Sequence, residues 1–422
     1  MKFLLLVLFG ATPLFSQAQT LPAIDPIKTV MDANGAWLDS LMAKVGDKRI
    51  VALGEDTHGT ADFYQLRDAI SRRLITEKGF NVMILENPHE DMMALQEGLQ
   101  KERLDTLMRR HLFSIYQSRQ MKDFLEWFKK YSRRHKGLRL AGCDDSYREL
   151  LPNAMVKEAK RYKSQELNRL CQQFLQRQTL SPKEFYAKNT SITGNPDDEM
   201  QYGLDTYRLA EAIDSLCIQL RIDNPGLKEL VFHAKTAYVF YERFSRKAAV
   251  SRDEIMGERI NYYAADPKAK IIVWAHSGHI ARYAWLADEL GLMGATVAKK
   301  FPADYLSIGM SSGQGSYSYI KNRFINDDHD FTDSLFTGEL QPNQAGSWNE
   351  ALVHNRDENF YLDFSRLSIA DRGEFEKVRS LKLLGYGKQS DKGKDFYPVA
   401  LPRLFDVLIF LRNTTHTTAL FN

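Results

Sequence analysis

Cysteine is scarce: the 422-residue chain holds Cys143, Cys171 and Cys217 and no others. Three is too few, and odd in number, for a disulfide scaffold. Cys171 and Cys217 fall on expected helices and stand either as a pair or as buried free thiols. Excess charge is also missing. The 57 Lys and Arg residues against 54 Asp and Glu leave +3, with the signs interspersed, so nothing calls for a nucleic-acid partner. The densest basic stretch, Lys129 to Lys136, reads as the solvated end of a helix. There is no internal repeat, no low-complexity tract and no HExxH metal motif. Long apolar runs are absent apart from Phe3–Phe15, which follows Lys2 and precedes the small residues Ser16 and Ala18. Gly10 and Pro13 interrupt that run, and it is short for a membrane span. Its layout is that of a secretory signal peptide (1–18) cleaved after Ala18. The mature protein, 19–422, is therefore expected to be periplasmic or secreted, with no stable membrane anchor.

What the chain does have is a composition 44% hydrophobic and 26% charged, ample for a large core. Short apolar runs at 48–55, 80–86 and 138–145 read as buried strands, and 61–78, 89–100 and 117–135 between them as helices. Residues 27–46 also carry helical spacing. This alternation predicts an α/β fold: a three-layer core with a mostly parallel sheet flanked by helices. From about 147 to 265 amphipathic stretches dominate and strand signals vanish, which predicts a large helical insertion. Strand signals return at 269–276, 303–311, 359–365 and 404–415.

The titratable residues fall regularly. "VALGE" ends in Glu55, "VMILE" in Glu86, "RLAGCD" in Asp144 and "IIVWAH" in His276, with His58 and His279 just beyond. Ligands of open α/β sheets bind beyond the carboxyl ends of the strands, so these groups are expected along one rim. A histidine titrating at about 6.5 can take a proton from water, and a neighbouring carboxylate fixes its tautomer. A second histidine or an arginine can then offset charge growing on an attacked carbonyl oxygen. Three histidines with carboxylates could instead hold zinc or manganese, so a metal-dependent hydrolase or peptidase stays open. So does a periplasmic protein binding haem or another hydrophobic ligand. "GMSSG" (309–313) matches a nucleophile elbow around Ser311, but the following "QGSYSYIKNRF" reads as extended chain, not the helix an elbow requires.

These motifs together resemble the erythromycin esterase family. The resemblance rests on Gly54, Glu55, Thr57, His58 and Gly59; on Arg67 in the following helix; on Glu86; and on Gly142, Cys143 and Asp144. It continues with Arg252, Asp253 and Met256 at a helix start, and with Trp274, Ala275, His276 and His279. It implies a three-layer α/β core and a cofactor-free hydrolase that opens an ester or macrolide lactone by water attack. His58 would be the base, with Glu55, Glu86, Arg67, His276 and His279 around it. Asp144, Arg252, Asp253, His233 and Tyr238 are expected on the substrate side. Two residues depart from the family pattern. Asp56 stands where a small residue is usual and is expected to set an extra negative charge beside the base, and Ser277 replaces an asparagine.

Overall fold

The computed structural model describes residues 27–32, 35–145, 150–248, 250–283, 292–321, 334–355, 359–390 and 393–421. The expected signal peptide (1–18) lies outside them. The main sheet takes strands β1 (Lys28–Val30), β2 (Ile50–Leu53), β3 (Val82–Pro88), β4 (Arg139–Asp144), β5 (Ile271–Trp274), β6 (Tyr305–Tyr319), β7 (Phe336–Glu339), β8 (Phe360–Asp363) and β11 (Val407–Thr414). Its order is β1-β8-β11-β6-β2-β5-β3-β4, with β7 paired to the far end of β6. Neighbours from β11 through to β4 run parallel, while β8, β1 and β7 join antiparallel. A small ribbon of β9 (Arg379–Lys382) and β10 (Phe396–Val399) stands apart.

Alternation along the strands separates the layers. Val51 and Leu53 of β2 pack with Phe63, Ile70 and Leu74 of helix α2 (Ala61–Lys78) and with Phe124 and Phe128 of α5 (Arg119–Ser132). Ile50 and Ala52 face the other way, onto Met256 and Ile260 of α11 (Arg252–Ala264). Each such buried aliphatic or aromatic side chain stabilises by about 1.5–3 kcal/mol. A further apolar cluster joins α6 (Leu150–Ala159), α7 (Gln165–Thr179), α9 (Glu199–Gln219) and α10 (Pro225–Ser245). These helices, with the short α8 (Pro182–Lys188), lie between β4 and β5. The remaining helices are α1 (Ala36–Val45), α3 (His89–Gly98), α4 (Leu104–His111), α12 (Leu292–Lys300), α13 (Trp348–Asn355), α14 (Ile369–Phe375) and α15 (Leu401–Leu404).

The helix expected over 27–46 is divided. Lys28–Val30 pairs antiparallel with Phe360–Leu362 as an edge strand, and α1 starts only at Ala36. Gly35, at φ 76°, breaks the chain between them. β6 runs straight through Ser311, so no elbow forms there. All three cysteines are free and buried. Among the described residues no helix is long and apolar enough to cross a membrane.

Candidate active site

Parallel register builds the rim. Leu53 of β2 and Leu85 of β3 both pair with Trp274 of β5, and Gly142 of β4 pairs with Leu85. Glu55, Glu86, His276 and Asp144 therefore leave the sheet within two residues of one level. The chain runs β2, β3, β4 outward and returns to insert β5 between β2 and β3. Such a reversal of strand order is where a crevice opens.

The turn after β2 is pressed between neighbours. A Cβ on Gly54 would lie 2.4 Å from Ser277 Oγ, and one on Gly59 only 1.9 Å from the Ser318 carbonyl oxygen. Only glycine permits these approaches, which brings Glu55 and His58 into contact. His58 Nδ1 lies 2.8 Å from Glu55 Oε1 and donates to that carboxylate, which turns Nε2 toward Glu86. Arg67, one turn beyond Tyr64 on α2, backs this pair. Its Nη2 is 2.5 Å from Glu55 Oε2 in ionic contact, off the line of a hydrogen bond. The guanidinium is 4.7 Å from both the Tyr64 and Trp274 ring centres. Both charges are almost fully buried, so removing Arg67 alone would cost on the order of 3–5 kcal/mol.

Glu86 joins the second half. Its Oε2 accepts the His276 main-chain N–H at 2.7 Å, while Oε1 stands 3.3 Å from His279 Nε2 and 3.8 Å from His58 Nε2. Burial pushes this carboxyl up, but the facing His279 and His58, with Arg252, pull it further down, and its pKa settles well below the usual range. His279 donates from Nδ1 to Asp253 Oδ1. Burial lowers its pKa, yet Asp253 and Glu86 outweigh that and hold it well above normal, so His279 is a cation between two carboxylates.

His276 is different. Gly278 N–H donates to its Nδ1 at 3.3 Å, so Nε2 carries the proton and donates to the Asp56 carbonyl at 3.2 Å. Burial and then the neighbouring His58 and His279 push its pKa down to about 3, which keeps it neutral. Its ring centre lies 5.4 Å from that of His58.

The other expected residues divide. Asp253 sits in the first turn of α11, which Ser251 caps through a bond from Glu254 N at 3.1 Å. Its second oxygen accepts Met293 N at 2.7 Å. Asp144 holds Arg252, with Arg252 Nε donating to Oδ1 at 2.7 Å and Nη2 to Oδ2. His233 and Tyr238 make their contacts elsewhere: His233 stacks on His89 at 4.1 Å, and Tyr238 accepts from Gln178 Nε2. The charge expected beside the base from Asp56 is not there. Its carboxylate faces β6, where Ser312 N and Oγ each donate at 2.7 Å. Ser277 likewise faces β6, donating to the Met310 carbonyl at 3.1 Å.

Sequence pattern gave no sign of three neighbours. The Tyr116 hydroxyl lies 3.3 Å from His58 Nδ1, and burial, then Glu86 and Glu55, raise its pKa so that it stays a phenol. The Tyr386 ring centre is 6.2 Å from that of His58. Gly385 accepts the His58 main-chain N–H through its carbonyl at 3.0 Å. These residues arrive from a short 3₁₀ turn and a loop, neither of which carries a periodic signal. Among the described residues no group of three or more His, Cys, Asp or Glu side chains is arranged to hold a metal ion.

The family model for erythromycin esterase matches residues 75–414, starting after the Gly54–Gly59 turn. The chain is 23% identical over 254 residues to YbfO of Bacillus subtilis strain 168, which carries a hydrolase name; the match covers 56% of this chain and 57% of YbfO. It is 21% identical over 302 residues to erythromycin esterase type II of Escherichia coli, covering 64% and 70% of the two chains. A crystal structure of a Bacillus cereus protein superposes with a TM-score of 0.75 at 20% identity, over 90% of this chain and 92% of the other. The open conformation of a histidine-to-asparagine variant of erythromycin esterase EreC gives 0.65 at 16% identity, over 96% and 99%. These structural matches establish a shared fold.

Proposed function

The chain belongs to the erythromycin esterase family, and from that premise we propose that it is a hydrolase that opens an ester or lactone with water activated by His58. The observation carrying this reading is the buried Glu55–His58 pair at 2.8 Å, whose Nε2 faces Glu86 across 3.8 Å. A water hydrogen-bonded to Nε2 gives its proton to the imidazole as its oxygen attacks the carbonyl carbon. Glu55 stabilises the imidazolium that forms, as a carboxylate beside a catalytic histidine does. The carbonyl π pair moves to oxygen, and the cationic His279 offsets that negative charge. Collapse re-forms the carbonyl and breaks the bond to the alkoxy oxygen, which takes the proton from His58. The products are a carboxylic acid and an alcohol, or one hydroxy acid from a lactone. His276, neutral with both ring nitrogens engaged, serves as the wall behind the base.

Macrolide lactones are the first substrates to try, because similar proteins carry erythromycin esterase names. The test is a mass-spectrometric screen over macrolides, simple lactones and simple esters for a gain of one water. At least one compound is expected to turn over, and His58→Ala to slow it by about 10²- to 10⁴-fold with the fold intact by circular dichroism. Equal rates for the two proteins would reject the mechanism. We also infer export from the apolar first residues; N-terminal sequencing of protein from the periplasm or medium should begin after Ala18.

A further inference from the structure

Asp56 does two jobs with two ends. Its side chain is fully buried against β6 and β9: Ser312 N and Ser312 Oγ donate to Oδ2 at 2.7 Å, and Ser311 Oγ does so at 3.4 Å. Lys382 Nζ, also without exposure, stands 3.9 Å from the same oxygen and donates to the Ser312 carbonyl at 3.0 Å. Asn349 ties the group together, donating to Ser311 Oγ and to the Ser312 carbonyl at 2.9 Å each and accepting Lys382 N at 2.8 Å. Nothing in this cluster reaches solvent, since all five residues are 0% exposed.

The main-chain carbonyl of Asp56 points to the opposite side, into the site. It accepts His276 Nε2–H at 3.2 Å, Leu384 N–H at 2.7 Å and Gly385 N–H at 3.2 Å. Gly385, in the left-handed region at φ 73°, returns its own carbonyl to His58 N–H at 3.0 Å. The next residue, Tyr386, faces the His58 ring. One peptide plane thus meets His276, the loop carrying Tyr386 and, through Gly385, the base. Lys382 lies two residues before Leu384, so the cation and the loop move as one piece of chain.

We propose that Asp56, anchored by Lys382 and Ser312, is a positioning residue whose carbonyl, together with the Gly278 N–H on the other ring nitrogen, holds the His276 tautomer and keeps the 384–386 loop against His58. The proposal deepens the hydrolase reading and, as a statement about rate, rests on it. The sequence departure at Asp56 then adds a strut beneath the site instead of a charge within it. Loss of the carboxylate leaves Lys382 buried without a counter-charge and frees the turn to rotate. His276 loses its acceptor and the base loses its register. A misplacement of about 1 Å near reacting atoms costs up to about 100-fold in rate.

The test uses full-length protein labelled with ¹⁵N-histidine, with the His276 signals assigned by their loss in His276→Gln. Wild type is expected to show a protonated Nε2 and a bare Nδ1 at neutral pH. Asp56→Asn should show mixed tautomers, and kcat on the screen's substrate should fall about 10- to 100-fold with KM nearly unchanged. The double variant Asp56→Val/Lys382→Met replaces the ion pair by apolar groups. It removes the unpaired cation but leaves Ser312 N–H and Oγ–H without their acceptor, so the thermal midpoint should recover in part while the tautomers stay mixed and kcat stays low. Recovery of the His276 signature and kcat along with stability would overturn the proposal, reducing the pair to packing. An unchanged His276 signature in folded Asp56→Asn would overturn it too. If wild type hydrolyses nothing in the screen, the hydrolase reading falls while the ring-nitrogen spectra still decide the role of Asp56.

Discussion

Two groups of buried histidines can be set side by side in this molecule. At the rim, His58 and His279 each meet a carboxylate through Nδ1, Glu55 and Asp253 respectively. Where α3 meets α10, His89 and His233 are more deeply buried and stack on one another at 4.1 Å. His89 Nδ1 meets the Asp144 carbonyl at 3.1 Å, and His233 Nε2 meets the Tyr263 hydroxyl at 3.3 Å. Glu229 is 3.9 Å from His233 Nε2 but already accepts from the Tyr263 hydroxyl and Arg139. Arg259 adds a positive charge facing both rings. Burial and then Arg259 push the His89 pKa well below normal, and burial, then the His89 ring, Arg259 and Arg139 do the same for His233. His279 goes the other way. Burial disfavours the imidazolium in both places, so the partner decides. Here the histidine held between Asp253 and Glu86 is the one whose pKa rises.

Breaking the rim at its junction should have the largest effect. Glu86→Gln keeps the shape and the bond from His276 N but removes the charge shared by His58 and His279. Its kcat is expected to fall by about 10²- to 10⁴-fold, and the His279 pKa to drop toward its ordinary value by NMR titration. A variant with wild-type turnover would cancel the distinction between the two groups.

The pH dependence of stability should separate them next. His89 and His233 have folded pKa values below the unfolded value of about 6.5. The unfolded chain therefore takes up protons first on acidification. Their contribution is intact above about pH 6.5 and is lost below it, at about 1.4 kcal/mol per pH unit for each histidine. His279, with its folded pKa raised, contributes fully below about pH 6.5 and loses this as pH rises through that folded value. Glu86 is depressed, so its contribution holds above about pH 4.3 and is lost as pH falls through its folded value. Urea midpoints at pH 7 and pH 5 should drop for wild type and drop less for His233→Phe, which keeps an aromatic ring on His89. An undiminished drop would remove the stacked pair from the acid response.

The smallest effect is expected from Tyr116→Phe. Its hydroxyl shares the His58 Nδ1 proton at 3.3 Å, behind the shorter bond to Glu55. A loss of about two- to tenfold in kcat corresponds to one secondary hydrogen bond. A larger loss would put the phenol on the proton path and extend the rim group to include it.

The strand ends are legible in the sequence because parallel neighbours in register bring their carboxyl ends to one level. Apolar runs closing in Glu55, Glu86, Asp144 and His276 therefore announce a rim. The partners of those groups are less legible. Asp253 reads as a substrate contact from its motif, yet it meets His279 because the capped first turn of α11 faces the loop after β5. Lys382, Gly385 and Tyr386 come from a short ribbon and a loop with no periodicity to detect. Asp56 misleads for a simple reason: a turn residue can send its side chain to either side of the sheet, and residue type does not say which. Edge strand β1 is missed because Ile27, Val30 and Met31 fit helical spacing, and only pairing with β8 selects the extended form.

By itself the sequence determined the α/β alternation, the rim and the chemical kind of its groups, since these follow from periodicity and residue type. Only the tertiary structure decided which histidine is charged, which is neutral and which way Asp56 turns. Those outcomes depend on distances of a few ångströms between residues up to 329 positions apart, from Asp56 to Gly385. Local pattern carries no record of such distances.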